Sequence, residues 1–179
     1  GDMPRWAFNS QLFFLVHRYK IHRDLEALGR PVVQDRTLYE DAEIFAQYLH
    51  QRGFIDARDC LLHAAPMSHG SGLYAIAHIA RGSHQVVYPG FEPEEILKAF
   101  AERSNCSMFA APTMVTRLLN YAGAGSSDTS GLKTLIYGGA PMYVSDLKRG
   151  LQMLGPKFYG LYGQGESPMT ISGLSTVGC

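Results

Sequence analysis

Between residues 60 and 162, five short apolar runs alternate with four stretches of helical periodicity. The runs are Cys60–Ala65, Gln85–Tyr88, Cys106–Ala111, Leu132–Tyr137 and Phe158–Tyr162. Runs of this length, bounded by turn-forming residues, have the pattern of strands buried on both faces. The helical stretches cover about 72–81, 93–103, 113–121 and 144–154. Pro93 takes the first position of the second stretch, with Glu94 and Glu95 near its positive end, and Pro112 opens the third. Parallel neighbours require long crossovers, and helices supply them. The alternation therefore predicts an α/β fold with a mainly parallel sheet. The segment 123–131, rich in Gly and Ser, is expected to be a flexible loop.

The chain before this alternation has another style. From Pro4 to about Leu28, apolar residues including Trp6, Phe8, Leu12, Leu15, Val16 and Tyr19 recur at helical spacing. Gly29 and Pro31 end that helix, and Pro31–Asp35 reads as a short strand. A second amphipathic helix follows from about Tyr39 to Arg52, stopped by Gly53. A helix-strand-helix segment thus precedes the α/β part. Residues 1–59 hold 3 of the 19 glycines but 17 of the 32 Lys, Arg, Asp and Glu residues. That shift suggests two units, 1–59 and 60–179. The plainer alternative is one domain with a helical and a loop-rich region.

Charge and cysteine content narrow the partners. Sixteen basic and sixteen acidic residues give no net charge, which argues against an electrostatic grip on nucleic acid or an anionic membrane. Cys60, Cys106 and Cys179 share no metal-like spacing and are odd in number, so a disulfide framework is not expected. No run nears the roughly 20 apolar residues of a spanning helix. Gly1–Pro4 lacks signal-peptide character, and the expected location is cytoplasmic. Oligomeric state has no signature here.

The helix Trp6-Ala-Phe-Asn-Ser-Gln11-Leu-Phe-Phe-Leu-Val-His-Arg18, followed by Val33-Gln-Asp-Arg36-Thr-Leu-Tyr-Glu40-Asp41, carries a first resemblance. A Gln side chain offers both a donor and an acceptor, so Gln11 can bond a base edge at two places. Arg18 lies two turns further and faces the same way. Residues 2–59 resemble the nucleoside-binding segment of the bacterial deoxyadenosine/deoxyguanosine kinases. The resemblance implies that Gln11 and Asp41 contact a base edge, Arg18 and Arg36 lie around base and phosphoryl groups, and Glu40 contacts the sugar. Singly, these residues read equally well as polar groups on an amphipathic helix. The family's P-loop, G-x-x-x-x-G-K-[ST], occurs nowhere in the 179 residues, and its general-base carboxylate and lid are missing with it.

A second resemblance rests on three motifs in order. They are Leu62-His-Ala-Ala-Pro-Met-Ser-His69-Gly-Ser-Gly72, Tyr137-Gly138-Gly139-Ala140-Pro-Met142 and Leu161-Tyr162-Gly163-Gln-Gly-Glu166-Ser167. Residues 60–175 resemble the adenylate-forming superfamily, nearest to its fatty-acyl and aryl-acyl CoA ligases. Those enzymes join a carboxylate to ATP, release pyrophosphate and pass the acyl group to a thiol. The resemblance implies that His69 lines the acyl pocket, that Pro112-Thr113-Met114 opens a helix walling it, and that Glu166 holds Mg²⁺. Gly138, Gly139 and Ala140 would let the backbone approach adenine or acyl groups. Tyr162 would stack on the nucleotide beside Gly163. Taken alone, His69 reads as a loop histidine, Gly-Gly-Ala-Pro as a turn, and Glu166 as a helix N-terminal acid.

Here too parts are missing. The family's Thr/Ser/Gly-rich phosphate loop is absent, and Gly165 stands where a Thr usually flanks the Glu. The ribose-binding Asp, the following Arg and the catalytic Lys are expected beyond residue 179. The reading is a fragment of an ATP-dependent acyl-CoA ligase-like enzyme, inactive as this chain, with ATP, Mg²⁺ and CoA as implied cofactors and a nucleotide and a carboxylate as partners. Two alternatives stay open: a deoxynucleoside kinase acting on purine deoxynucleosides, and an engineered or chimeric non-catalytic module.

Overall fold

A computed structural model of the chain describes residues 23, 24, 27–29, 55–164 and 167–175. The helix-strand-helix expectation for the first 59 residues therefore lies almost wholly outside the described residues, as do Gln11, Arg18, Arg36, Glu40 and Asp41.

All five expected strands form. They are β1 (Cys60–His63), β2 (His84–Val87), β3 (Cys106–Ala110), β4 (Leu132–Tyr137) and β5 (Phe158–Gln164). A sixth, β6 (Ser167–Ser175), completes one sheet in the order β2-β1-β3-β4-β5-β6. Every pairing from β2 to β5 is parallel, and β6 runs antiparallel to β5. Chain order departs in opposite directions from β1, to β2 on one side and β3 on the other. The C-terminal ends of β1 and β3 thus mark the topological switch point, where open α/β sheets bind ligands.

Helices α1 (Gly70–Leu73) and α2 (Ala75–Ile79) follow β1, and α3 (Pro93–Glu102) follows β2. Helix α4 (Pro112–Asn120) follows β3, and α5 (Val144–Leu154) follows β4. The single helix expected over 72–81 is two short turns broken at Tyr74. The ring of Tyr74 stacks on Phe109 of β3 with 6.1 Å between centroids, and Tyr74 is buried. Seating that side chain on the sheet divides the helix. The segment 123–131 contains a 3₁₀ turn, Ala124–Ser126, with Ser127 Oγ donating to the Gly123 carbonyl at 2.7 Å.

The core lies between one sheet face and α3, α4 and α5. Leu62, Met108, Ala110, Leu135 and Phe158 from the strands meet Ile96, Phe100, Val115, Leu118 and Leu154 from the helices. Helices α4 and α5 are tied at their surface, where Thr116 Oγ1 donates to Asp146 Oδ2 at 3.0 Å and Arg149 donates to Asn120 Oδ1 at 2.6 Å. On the opposite face α1 packs on β3 and reaches β1 through Ser71, and α2 packs on β2, burying Ser71, Tyr74, Ala75 and His78.

Polar groups at the N-terminal edge of the sheet are closed in on themselves. Asp59, which enters β1, is only 2% exposed and accepts two bonds from Lys133 Nζ of β4, at 2.8 and 2.9 Å. The Asp56 amide donates to Asp59 Oδ2 as well, at 2.9 Å. His78 Nδ1 lies 2.7 Å from Ser83 Oγ, which itself donates to the His78 carbonyl, so the ring nitrogen is the donor. Burial holds His78 well below the ordinary histidine range, at about 4, against the opposing pull of Asp59. Cys60 and Cys106 are direct register partners, both buried and free.

Candidate active site

The three motifs reach the same edge because each follows a parallel strand. The His69 motif leaves β1, the Gly138–Ala140 motif leaves β4, and Tyr162 and Gly163 lie in the last turn of β5. Register places them together, since Tyr137 pairs with Gly160 and β5 continues past β4 to Gln164.

Phe109 of β3 is the piece that joins them, and the sequence alone did not single it out. A Cβ added at Gly70 would lie 2.6 Å from the Cε1–Cζ edge of its ring. A Cβ at Gly138 would lie 3.6 Å from the opposite Cε2 edge and 2.8 Å from the Leu161 carbonyl oxygen. The first motif therefore touches one edge of the ring, and the second touches the other edge and the third motif. Phe109 was hidden from sequence reading inside an apolar run whose members all look like core.

The glycines differ in their surroundings. Gly138 is buried, and its missing side chain admits Leu161 and Phe109. Gly139 is exposed with φ +84°, in the left-handed region that glycine favours, and nothing lies within 4 Å of its Cβ position. Gly139 and the exposed Ala140 leave bare backbone open to solvent. Tyr162 is half exposed and Gly163 exposed on the adjoining strand. A flat aromatic ring beside open glycine backbone can receive a planar base.

His69 is exposed at the N-cap of α1, its Nδ1 2.9 Å from Ser68 Oγ. The loop that carries it is closed by backbone bonds from the His69 amide to the Pro66 carbonyl (3.1 Å) and from the Gly72 amide to the His69 carbonyl (3.2 Å). Helix α4 begins at Pro112, as expected, from the end of β3. Below the loop, buried His63 stands between Ser71 Oγ, 2.9 Å from Nδ1, and Gln85 Oε1, 2.8 Å from Nε2. Burial lowers its proton affinity below the ordinary histidine range, partly offset by the Gln85 bond. The Tyr74 hydroxyl and Gln85 Nε2 are buried with no hydrogen-bond partner, and burial pushes the Tyr74 phenol upward.

Glu166, the expected Mg²⁺ ligand, lies outside the described residues. The described chain resumes as strand, with Gln164 paired to Ser167 across β5 and β6. Among the described residues no group of three His, Cys, Asp or Glu side chains could hold a metal ion. The exposed ring of Tyr162 and the open backbone at Gly139 and Gly163 could receive a planar group, whereas a metal would have Glu166 alone. No helix among the described residues is long and apolar enough to cross a membrane.

Comparison with known proteins agrees with this geometry. The model of the AMP-binding enzyme family matches residues 35–177, about four-fifths of the chain. The medium/long-chain-fatty-acid–CoA ligase FadD8 of Mycobacterium tuberculosis is 29% identical over 114 residues, which is 64% of this chain and 20% of that protein. ATP-bound MatB from Rhodopseudomonas palustris superposes with a TM-score of 0.64 at 22% identity, over 79% of this chain and 28% of MatB. The deoxyadenosine/deoxycytidine kinase of Bacillus subtilis is 38% identical over 58 residues, 32% of this chain and 27% of the kinase. The chain thus spans about a fifth to a quarter of the length of these curated relatives. It carries a part similar to the deoxynucleoside kinases, and its α/β portion has the fold of adenylate-forming enzymes. By the match over most of its length, the chain belongs to the AMP-binding enzyme family.

Proposed function

We propose that residues 60–179 form the acyl- and adenylate-binding part of a carboxylate–CoA ligase. In that reaction a carboxylate attacks the α-phosphorus of ATP, pyrophosphate leaves, and the acyl-adenylate is then attacked by the CoA thiol. The observation that carries the reading is the meeting of the His69 loop, Gly138–Ala140 and Tyr162 around Phe109 at the switch-point edge. His69 lines the acyl side. Gly139, Ala140 and Gly163 present backbone to the nucleotide, Tyr162 stacks on the base, and Gly138 holds the loops at contact distance. ATP supplies the activating group, and Glu166 is the residue that would hold Mg²⁺ against its phosphates, a hard oxygen ligand for a hard cation.

In this reading the unit division falls at residues 59 and 60, although the family match begins earlier, at residue 35. Ile55 packs on Ala77 and Asp59 is bonded to Lys133, so residues 55–59 lean on the ligase-like unit. The 179-residue chain alone is expected to turn over little or not at all, because the phosphate loop and the later catalytic residues are not among its motifs. Carboxylate-dependent ATP–pyrophosphate exchange in the longest available polypeptide tests the reaction, and Glu166→Gln should abolish it. Undiminished exchange in that variant would remove the metal role, and robust exchange by the 179-residue chain would contradict the expected inactivity.

A second reading concerns residues 2–59 and is favoured by their likeness to the kinases. Gln11, Arg18, Arg36, Glu40 and Asp41 would form a purine deoxynucleoside pocket without phosphoryl transfer. Deoxyadenosine should raise the melting temperature of the chain, as any ligand preferring the native state does, and Gln11→Ala should cancel the rise. No rise in the wild-type chain would dismiss the pocket.

A further inference from the structure

We propose that His63 is a positioning residue for the His69 loop: through Ser71 and Gln85 it pins α1 to the sheet and thereby aims His69 into the acyl side of the cleft. The last clause rests on the reading given above; the pinning rests on geometry alone.

Helix α1 has four residues, too few to hold itself together in water. No side chain caps it, and its first residue follows directly on His69. Its position must come from tertiary bonds, and Ser71 supplies one from a buried site. The Ser71 hydroxyl meets His63 Nδ1 at 2.9 Å, and His63 Nε2 meets Gln85 Oε1 at 2.8 Å. The amide oxygen can only accept, so Nε2 carries the hydrogen and Nδ1 accepts from Ser71. One imidazole thus links β1, β2 and α1 in a chain of fixed polarity. Its own strand is held on the same side, since the Tyr88 amide donates to the His63 carbonyl at 2.9 Å. Phe109 then bounds the loop beyond, at Gly70. The loop is therefore clamped at Gly70 by a ring and at Ser71 by a hydrogen bond, one and two residues from His69.

Ser71→Ala removes one oxygen from a buried site and keeps the fold. In ¹⁵N relaxation spectra of the 179-residue chain, the order parameters of the His69 and Gly70 amides should fall from rigid values near 0.85 to below about 0.6, while those of β3 stay unchanged. The Nε2–H tautomer of His63, held by Gln85 Oε1, should persist in the same variant, so that only the link to α1 is cut. With dodecanoyl-sulfamoyl-adenosine as an acyl-adenylate mimic, Ser71→Ala should weaken binding about tenfold, while affinity for AMP stays within about twofold. Unchanged order parameters in Ser71→Ala overturn the pinning, and equal loss of both ligands overturns the aim at the acyl side. If the wild-type chain binds neither ligand, the proposed function fails, and the relaxation result still decides the pinning. His63→Gln, which can bridge the same partners, should restore part of the order that His63→Ala loses.

Discussion

The two ends of this sheet are built from the same strands and treat polar groups in opposite ways. At the N-terminal edge, Asp59, Lys133, His78 and Ser83 find their partners within the chain, and Asp59 and His78 are almost fully buried. At the C-terminal edge, His69, Gly139, Ala140, Tyr162 and Gly163 are exposed. A closed, satisfied polar cluster stabilises a fold but has nothing left to offer a ligand. An open edge with bare backbone keeps that capacity. The contrast separates the described histidines: His63 and His78 are buried in the framework, whereas His69 is exposed.

Four experiments would break or sharpen this contrast, and the largest effect belongs to the closed edge. Lys133→Met should leave the Asp59 carboxylate buried with two of its three bonds gone. A cost of about 3 kcal/mol in chemical denaturation is expected, with AMP affinity of the surviving folded fraction unchanged. A cost below about 1 kcal/mol would show that the pair is not closed.

The next effect is a pH dependence at the same edge. The folded His78 pKa, at about 4, lies below its unfolded value near 6.5, so the neutral ring favours the fold. Its contribution is complete above about pH 6.5 and is lost as pH falls towards 4, on the order of 3 kcal/mol in all. Urea midpoints between pH 7 and 4 should follow that slope, and His78→Gln should flatten it. An identical slope in the variant would assign the acid sensitivity elsewhere.

At the open edge the effects on stability are smaller and those on binding larger. Gly138→Ala places a methyl 2.8 Å from the Leu161 carbonyl, which should cost roughly 1–3 kcal/mol and separate the second motif from the third. AMP affinity should fall with it, and retained affinity would show that the nucleotide does not need that contact. Smallest in stability is Tyr162→Ala, within about 0.5 kcal/mol for a half-exposed ring. Its AMP affinity should nonetheless drop roughly fivefold, the worth of one aromatic stack. A drop in stability without a drop in affinity would reverse the assignment of Tyr162.

The fold was legible where its signal is local. Apolar runs alternating with 3.6-residue periodicity gave five strands and the helices from α3 to α5 within a residue or two. The sixth strand escaped because Ser167–Ser175 mixes Ser, Gly and Thr with isolated apolar residues, as an edge strand with exposed positions does. The break at Tyr74 escaped because it depends on Phe109, thirty-five positions away in the chain. The candidate site was legible as motifs but not as a structure. His63, Phe109 and the packing use of Gly138 depend on register between strands, which no window of sequence contains. His63 meets Gln85 only because β1 and β2 align in parallel.

The central claim is that an adenylate binds the open edge and leaves the closed one untouched. Titrating AMP into the ¹⁵N-labelled chain tests it most directly. Saturable shifts are expected in residues 66–72, 109–112, 138–142 and 161–163, with Asp59, His78, Ser83 and Lys133 still. Shifts centred on the closed edge, or none at millimolar AMP, would contradict it.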